Sequence, residues 1–285
     1  MNLHRYRILR RYFLKRVQYT LMRQVIPIRP REFRALAGGH RVFANSIPKA
    51  GTNLINRILK MVPGTVDWWT YHLDENIPDI MKQLASVRRG QIVTAHLPWS
   101  QELDSALKER EFKRYLIVRD LRDVVVSGSY YVTRKDDHDL YTYFNSLPSS
   151  EERILAYIEG VDGSLLPGGV SAQSIGDFVS GYLPWWSDED CLIVKFEDLI
   201  GPAGGGSEDR LRQAIASVLR HLSIEFYDGQ LEFIAEHSFS RNARTFRKGL
   251  IGDWKNHFTE EHKAAFKACA GEHLIQMGYE KDLDW

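Results

Sequence analysis

The sequence predicts an α/β fold, a single domain in which a central, mainly parallel sheet is flanked by helices. Three observations predict it. Apolar runs of strand length alternate with amphipathic runs of helix length, the pattern of strand–crossover–strand units. The strand-length runs read as buried, as they must when helices cover both faces of a parallel sheet. A tight Lys-Ala-Gly-Thr turn joins the first strand directly to its helix, a P-loop-like arrangement.

The elements follow in order. "RVFANSIP" (41–48) reads as the first strand and "NLINRILKMV" (53–62) as its helix. "QIVTAHLP" (91–98) is the second strand, leading to the helical "SQELDSALKER", where Ser100 suits the N-cap. "KRYLIVRD" (113–120) is the third and runs into the helical "LRDVVVSGSYYV"; "CLIVKFEDL" (191–199) is the fourth and precedes the helix "EDRLRQAIASVLRHL". Glycine and proline clusters at 162–169 and 201–209 read as surface loops. A last helix starts after Thr259, with Glu260 and Glu261 in its positive first turn, and stops near Met277 before Gly278.

At 285 residues, with 44% hydrophobic and 26% charged, the chain fits one large soluble domain. Cys191 and Cys269 lie in apolar surroundings without zinc-ligand spacing. They indicate neither disulfide nor metal, and read as buried thiols of a reducing, cytoplasmic setting. The net charge of +1 conceals an asymmetry: residues 1–31 hold nine Lys or Arg and no acid, leaving a net acidic body. Tyr6, Leu9, Phe13, Val17 and Leu21 give this arm a helical apolar stripe. Residues 1–31 thus divide from a domain at 32–285. The arm suits peripheral contact with an anionic membrane or packing on the acidic body, with an Arg-rich transit peptide as a third reading. Arginines interrupt every apolar stretch, which excludes a secretory signal or a membrane span in the arm. Localised charge without an aromatic platform does not indicate nucleic acid.

Chemistry concentrates at three places. Lys49, Ala50, Gly51, Thr52 and Asn53 form a turn opening into a helix, where uncapped N–H groups and the helix dipole favour an anion. The order of lysine and glycine is not that of a Walker motif. Arg119 ends the third strand and Ser127 follows on the next helix, both able to face a second phosphate; the competing reading is an Arg119–Asp123 ion pair. "FRKGLIGDWKNHF" (246–258) sets Arg247 and Lys248 beside Gly249, and reads equally as a basic surface loop anchored by Trp254 and Phe258.

Taken in order, these segments resemble the sulfotransferases that use 3′-phosphoadenosine 5′-phosphosulfate (PAPS), most closely the cytosolic type. "SIPKAGTNL" is similar to the family's 5′-phosphosulfate loop, "YLIVRDLRDVVVSGSYY" to its 3′-phosphate element and "RKGLIGDWKNHFT" to its carboxyl-terminal signature. "TAHLP" resembles the segment with the catalytic histidine and "IVKFEDL" a strand with an acidic turn. The resemblance implies that Lys49 and the 50–53 segment hold the 5′-phosphosulfate, and that Arg119, Ser127, Arg247, Lys248 and Gly249 hold the 3′-phosphate. It implies that His96 is the general base, that Lys49 stabilises the leaving phosphate, and that Phe239 stacks on adenine. PAPS would be the donor, 3′-phosphoadenosine 5′-phosphate (PAP) the product, and no metal would be needed.

Departures from the family pattern fall at Leu54, where a tryptophan usually meets the adenine, at Thr94, where a lysine is common, and at Phe196, which replaces a tyrosine near the purine. The family's dimerisation pattern fails at Glu260 and Ala264, leaving the oligomeric state open. Trp68, Trp69, Tyr71, Tyr130, Tyr131, Trp185 and Trp186 read either as core or as the lining of a pocket for a small-molecule or lipid-like acceptor. A nucleotide-dependent kinase and a non-catalytic nucleotide-binding protein are the alternative functions.

Overall fold

Each inner strand is apolar almost throughout because successive side chains enter two different cores. On the first strand, Phe43 faces one core while Val42 and Ala44 face the other. On the strand beside it, Leu116 and Val118 oppose Tyr115 and Ile117 in the same way. The computed structural model describes residues 38–239 and 248–285, so the arm at 1–31 and Arg247 lie outside the described residues.

The chain runs β1 (Arg41–Ser46), α1 (Thr52–Met61), β2 (Val66–Asp74), α2 (Ile80–Ala85), β3 (Gln91–His96), α3 (Gln101–Glu109), β4 (Phe112–Val118) and α4 (Leu121–Val132). It continues with α5 (Tyr141–Ser146), α6 (Ser150–Glu159), α7 (Ile175–Ser180), β5 (Cys191–Lys195), α8 (Phe196–Leu199), α9 (Glu208–His221), α10 (Asp228–Ser238) and α11 (Glu260–Gln276). The strands form one parallel sheet in the order β2-β3-β1-β4-β5. Helices α1, α9 and α10 cover one face; α3, α4, α6, α7 and α11 cover the other. From central β1 the chain crosses to β2 on one side, and from β3 it crosses back over β1 to β4 on the other. The carboxyl end of β1 is therefore a switch point, where the connecting loops diverge and leave a crevice.

The expected caps form. Ser100 Oγ accepts from Leu103 N at 3.2 Å. Thr259 Oγ1 accepts from His262 N, while the buried His262 ring accepts from Thr259 N through Nδ1. Its Nε2 then donates to Glu151 O, tying the start of α11 to α6. Gly278, at φ 69, ends the helix. Both thiols are held in protonated form by burial, Cys191 being pushed up to about 12.

Two expectations need correction. The sheet has five strands, not four: β2 is added at the edge, and its register shifts between Val66 and Tyr71, which breaks the alternation a sequence reading needs. The backbones of Trp68, Trp69 and Tyr71 belong to this strand, and their side chains lie outside the described set. The strand expected over 191–199 ends at Lys195, and Phe196–Leu199 is a helical turn. Glu197 causes the turn: its carboxylate accepts from Asp120 N at 3.0 Å and from the Tyr279 hydroxyl at 2.8 Å, pulling the chain towards the start of α4.

Asp123, fully buried on α4, anchors the carboxyl-terminal segment. It accepts from Gly252 N and Trp254 N, each at 2.9 Å, and pairs with Arg119 at 3.3 Å. Asp123→Ala orphans a buried guanidinium and two buried N–H groups together. The variant should lose about 3–5 kcal/mol in urea unfolding; a loss under about 1 kcal/mol would mean that the segment is held by other contacts.

Candidate active site

The phosphate loop follows β1 with two left-handed residues, Lys49 at φ 70 and Gly51 at φ 110. For lysine this conformation costs about 1–2 kcal/mol, so the loop is held by its surroundings and not by local preference. Ala50 is fully buried and anchors the bend, with its N–H bonded to Ile47 O at 3.0 Å. α1 begins at Thr52 with no side-chain cap and no acid in its first turn, so its positive end is left to a ligand. A Cβ on Gly51 would lie 2.8 Å from the Phe196 ring, so only glycine brings the loop this close to the turn after β5.

Phe196 joins the loop to the next cation. The Arg119 guanidinium lies 4.3 Å above its ring centroid, and Arg119 Nη2 donates to Leu250 O at 2.8 Å. Contacts therefore run from Gly51 through Phe196 and Arg119 to the 248–258 segment, four stretches distant in sequence. Phe196 is 5% exposed and forms the wall of the site. Lys248 Nζ lies 3.0 Å from Asp253, and Gly249 follows with φ 64. The glycine-rich loop at 201–206 lets this segment approach: a Cβ on Gly204 would meet Gly249 O at 2.4 Å, and Ile251 N donates to Gly204 O at 3.1 Å. Trp254 and Phe258 are buried beneath, so the basic segment is an anchored loop, and the Arg119–Asp123 ion pair is formed.

Ser127, largely buried, lies one turn before Tyr131 on α4, and Lys49 Nζ sits 3.9 Å over the Tyr131 ring. Leu54 packs against the core on the α1 face. Arg57 of α1 donates to His237 O, which sets the end of α10 beside α1, and Phe239 caps that end with extended backbone. Arg247 lies outside the described residues.

His96 ends β3. Its Nδ1 lies 2.8 Å from Ser46 O and 3.2 Å from Ser46 Oγ, which is itself 2.6 Å from Thr52 Oγ1. A carbonyl only accepts, so the bond to Ser46 O puts the proton on Nδ1 and leaves the Nε2 lone pair as the basic site. Burial, then the neighbouring His72 and, as the smallest of these influences, Lys49 disfavour the imidazolium and lower its pKa to about 4, against a smaller opposing effect of Ser46 O. Asn45 fixes the next residue with both ends of its amide, donating to Leu97 O at 2.7 Å and accepting from Leu97 N at 3.0 Å.

Sequence reasoning missed Asn45, Ser46, His72 and Gly204. For the first two a signal existed, since "ANS" places two polar residues at the buried end of a strand. Of the aromatics considered for an acceptor pocket, Trp185 is core, 1% exposed with its indole N–H on Leu97 O at 3.3 Å. A cleft of about 740 Å³ lined by Trp99, Asp104, Lys108, Asp188 and their neighbours includes no residue of this constellation.

Comparison with known proteins identifies the family. The sulfotransferase domain family matches residues 40–278. A 3-alpha-hydroxysteroid sulfotransferase of Cavia porcellus is 25% identical over 260 residues, 83% of each chain. Sulfotransferase 2A1 of Homo sapiens is 24% identical over 251 residues, 81% of this chain and 82% of its own. The crystal structure of a mouse sulfotransferase complexed with PAP superposes with a TM-score of 0.61 over 87% of this chain and 90% of that one; at 18% identity the likeness is one of fold. With the family matched across nearly all of the described sheet and helices, this chain belongs to the sulfotransferase domain family.

Proposed function

We infer that this chain is a PAPS-dependent sulfotransferase in which His96 and Lys49 carry the transfer to the hydroxyl or amine of a small apolar acceptor. The observation that carries the reading is the meeting at the carboxyl end of β1: a left-handed glycine loop, on its β4 side a cation-bearing segment joined to it through Phe196 and Arg119, and on its β3 side an imidazole bonded to Ser46.

The residues fit the donor. Arg119 Nε is buried without a hydrogen-bond partner, so a donor remains on the guanidinium after its bonds to Asp123 and Leu250. The first turn of α1 has no side-chain cap and no acid, so its positive end is open to an anion. Lys49 and the first turn of α1 would hold the 5′-phosphosulfate, with Arg119, Ser127, Lys248, Gly249 and Arg247 about the 3′-phosphate. Bound PAPS supplies the sulfuryl group and, on transfer, a phosphate on which negative charge grows. His96 Nε2 takes the acceptor's proton, its Nδ1–H held by Ser46 O. Lys49 and the positive end of α1 lie where the phosphate's charge develops, and Lys49 is fixed in advance by its backbone conformation. The named relatives include a hydroxysteroid sulfotransferase, which supports an alcohol or phenol on an apolar skeleton as acceptor. Peripheral membrane contact through residues 1–31 remains part of the proposal. No observation favours the kinase or non-catalytic alternatives.

Labelled PAPS offered with a panel of phenols, sterols and amines tests the assignment. His96→Ala should lower kcat by about 10² to 10⁴ and leave PAP affinity near wild type. Lys49→Ala should weaken both. Loss of PAP binding in His96→Ala would refute the role given to the histidine. Because its folded pKa lies below that of a free imidazole, His96 stays unprotonated until the pH approaches about 4. The acid limb of kcat/KM should accordingly fall near there and not near 6.5, where a solvent-exposed base would place it.

A further inference from the structure

His72 sits near the carboxyl end of β2, where the register sets it beside Thr94 and sets Asp74 beside His96. The sequence gives it no motif, yet its ring meets His96 edge-on, centroids 4.6 Å apart and planes at 78°. Its Nδ1 lies 3.1 Å from Thr94 Oγ1, so a hydroxyl on the strand that carries the base fixes the ring of the neighbouring strand. Other charged groups near the pair are Lys49 on the phosphate loop and, at the end of β2, Asp74 and Glu75, whose charges bear on the buried Tyr182.

We propose that His72 is a positioning residue for the transfer reaction: held by Thr94, it braces the His96 ring and puts a second ionisable imidazole against the base. Two consequences follow from the contact. The edge-on packing limits rotation of the His96 ring, which keeps Nδ1 on Ser46 O and Nε2 turned to the acceptor side. The electrostatic effect of the exposed His72 on the His96 ring acts in the same direction as that of Lys49, against the imidazolium.

The kinetic half of this inference rests on the sulfotransferase reading; the structural half does not. Imidazole NMR titration of the full chain, with His96→Ala identifying the resonance, compares wild type with His72→Gln and His72→Lys. In His72→Gln the His96 midpoint should rise by about one unit, and in His72→Lys, which keeps a cation, it should stay near the wild-type value. With PAPS and an acceptor that wild type sulfates, kcat should drop about tenfold in His72→Gln with the acid limb displaced upward, His72→Lys should recover part of it, and PAP affinity should be unchanged in both. An unmoved His96 midpoint in His72→Gln overturns the proposal, as do equal effects of the two variants on midpoint and rate. A wild-type chain inactive on the whole acceptor panel would count against sulfuryl transfer, while the titration would still decide the place of His72.

Discussion

A single buried guanidinium organises this molecule's functional end. Removing the charge of Arg119 from water costs several kcal/mol, and the cost is offset only if partners converge on it from all sides. They come from near and far along the chain: Asp123 from the first turn of the next helix, the Leu250 carbonyl from 131 residues on, and the Phe196 ring from the turn after β5. Each partner is itself pinned, Asp123 by two backbone N–H groups and Phe196 by the glycine loop. Cation and loop are thus assembled in the folded chain, and binding a nucleotide with an anionic group at each end need not order them.

This arrangement dissolves a choice that the sequence left open. An Arg119–Asp123 ion pair and a phosphate site looked like rivals, as did an anchored basic loop and an anion cradle. The ion pair and the anchored loop are both present, and neither excludes the anion site proposed for these residues. Asp123 uses its two oxygens on Gly252 N, Trp254 N and one nitrogen of Arg119, which leaves Arg119 Nε without a partner. The carboxylate holds the cation in place without consuming it. Lys248 beside the buried Asp253 repeats the scheme nearer the surface.

The legible parts of the sequence were those whose cause is local. Buried strands, the Ser100 and Thr259 caps and the Lys-Ala-Gly-Thr turn follow from residues within one turn or one strand of each other, and three basic segments in order implied the family. β2 was not legible because a register shift interrupts its periodicity, nor was the turn at Phe196–Leu199, because Glu197 takes its partners from 77 and 82 residues away. His72 and Gly204 carry meaning only through neighbours supplied by the tertiary fold. Gly204 reads as one glycine among several in a loop until the backbone of Gly249 is laid against it.

In the role proposed for it, His96 is a weak base. Burial above all, then His72 and Lys49, keep it neutral far below physiological pH, in the form that accepts a proton, but with little driving force to do so. An alcohol gives up no proton to such a base in the ground state. It does so once its oxygen has begun to bond to sulfur and has become acidic, which ties proton removal to an advanced transition state. Burial, the main cause of the weakened imidazole, also strengthens the pull proposed for Lys49 on the departing phosphate, because charges act more strongly in a dry, preorganised site. Opening the site to water would therefore restore an ordinary imidazole pKa and weaken that pull in one change, whereas removing the Lys49 charge alone, the smallest influence on His96, would leave the pKa low.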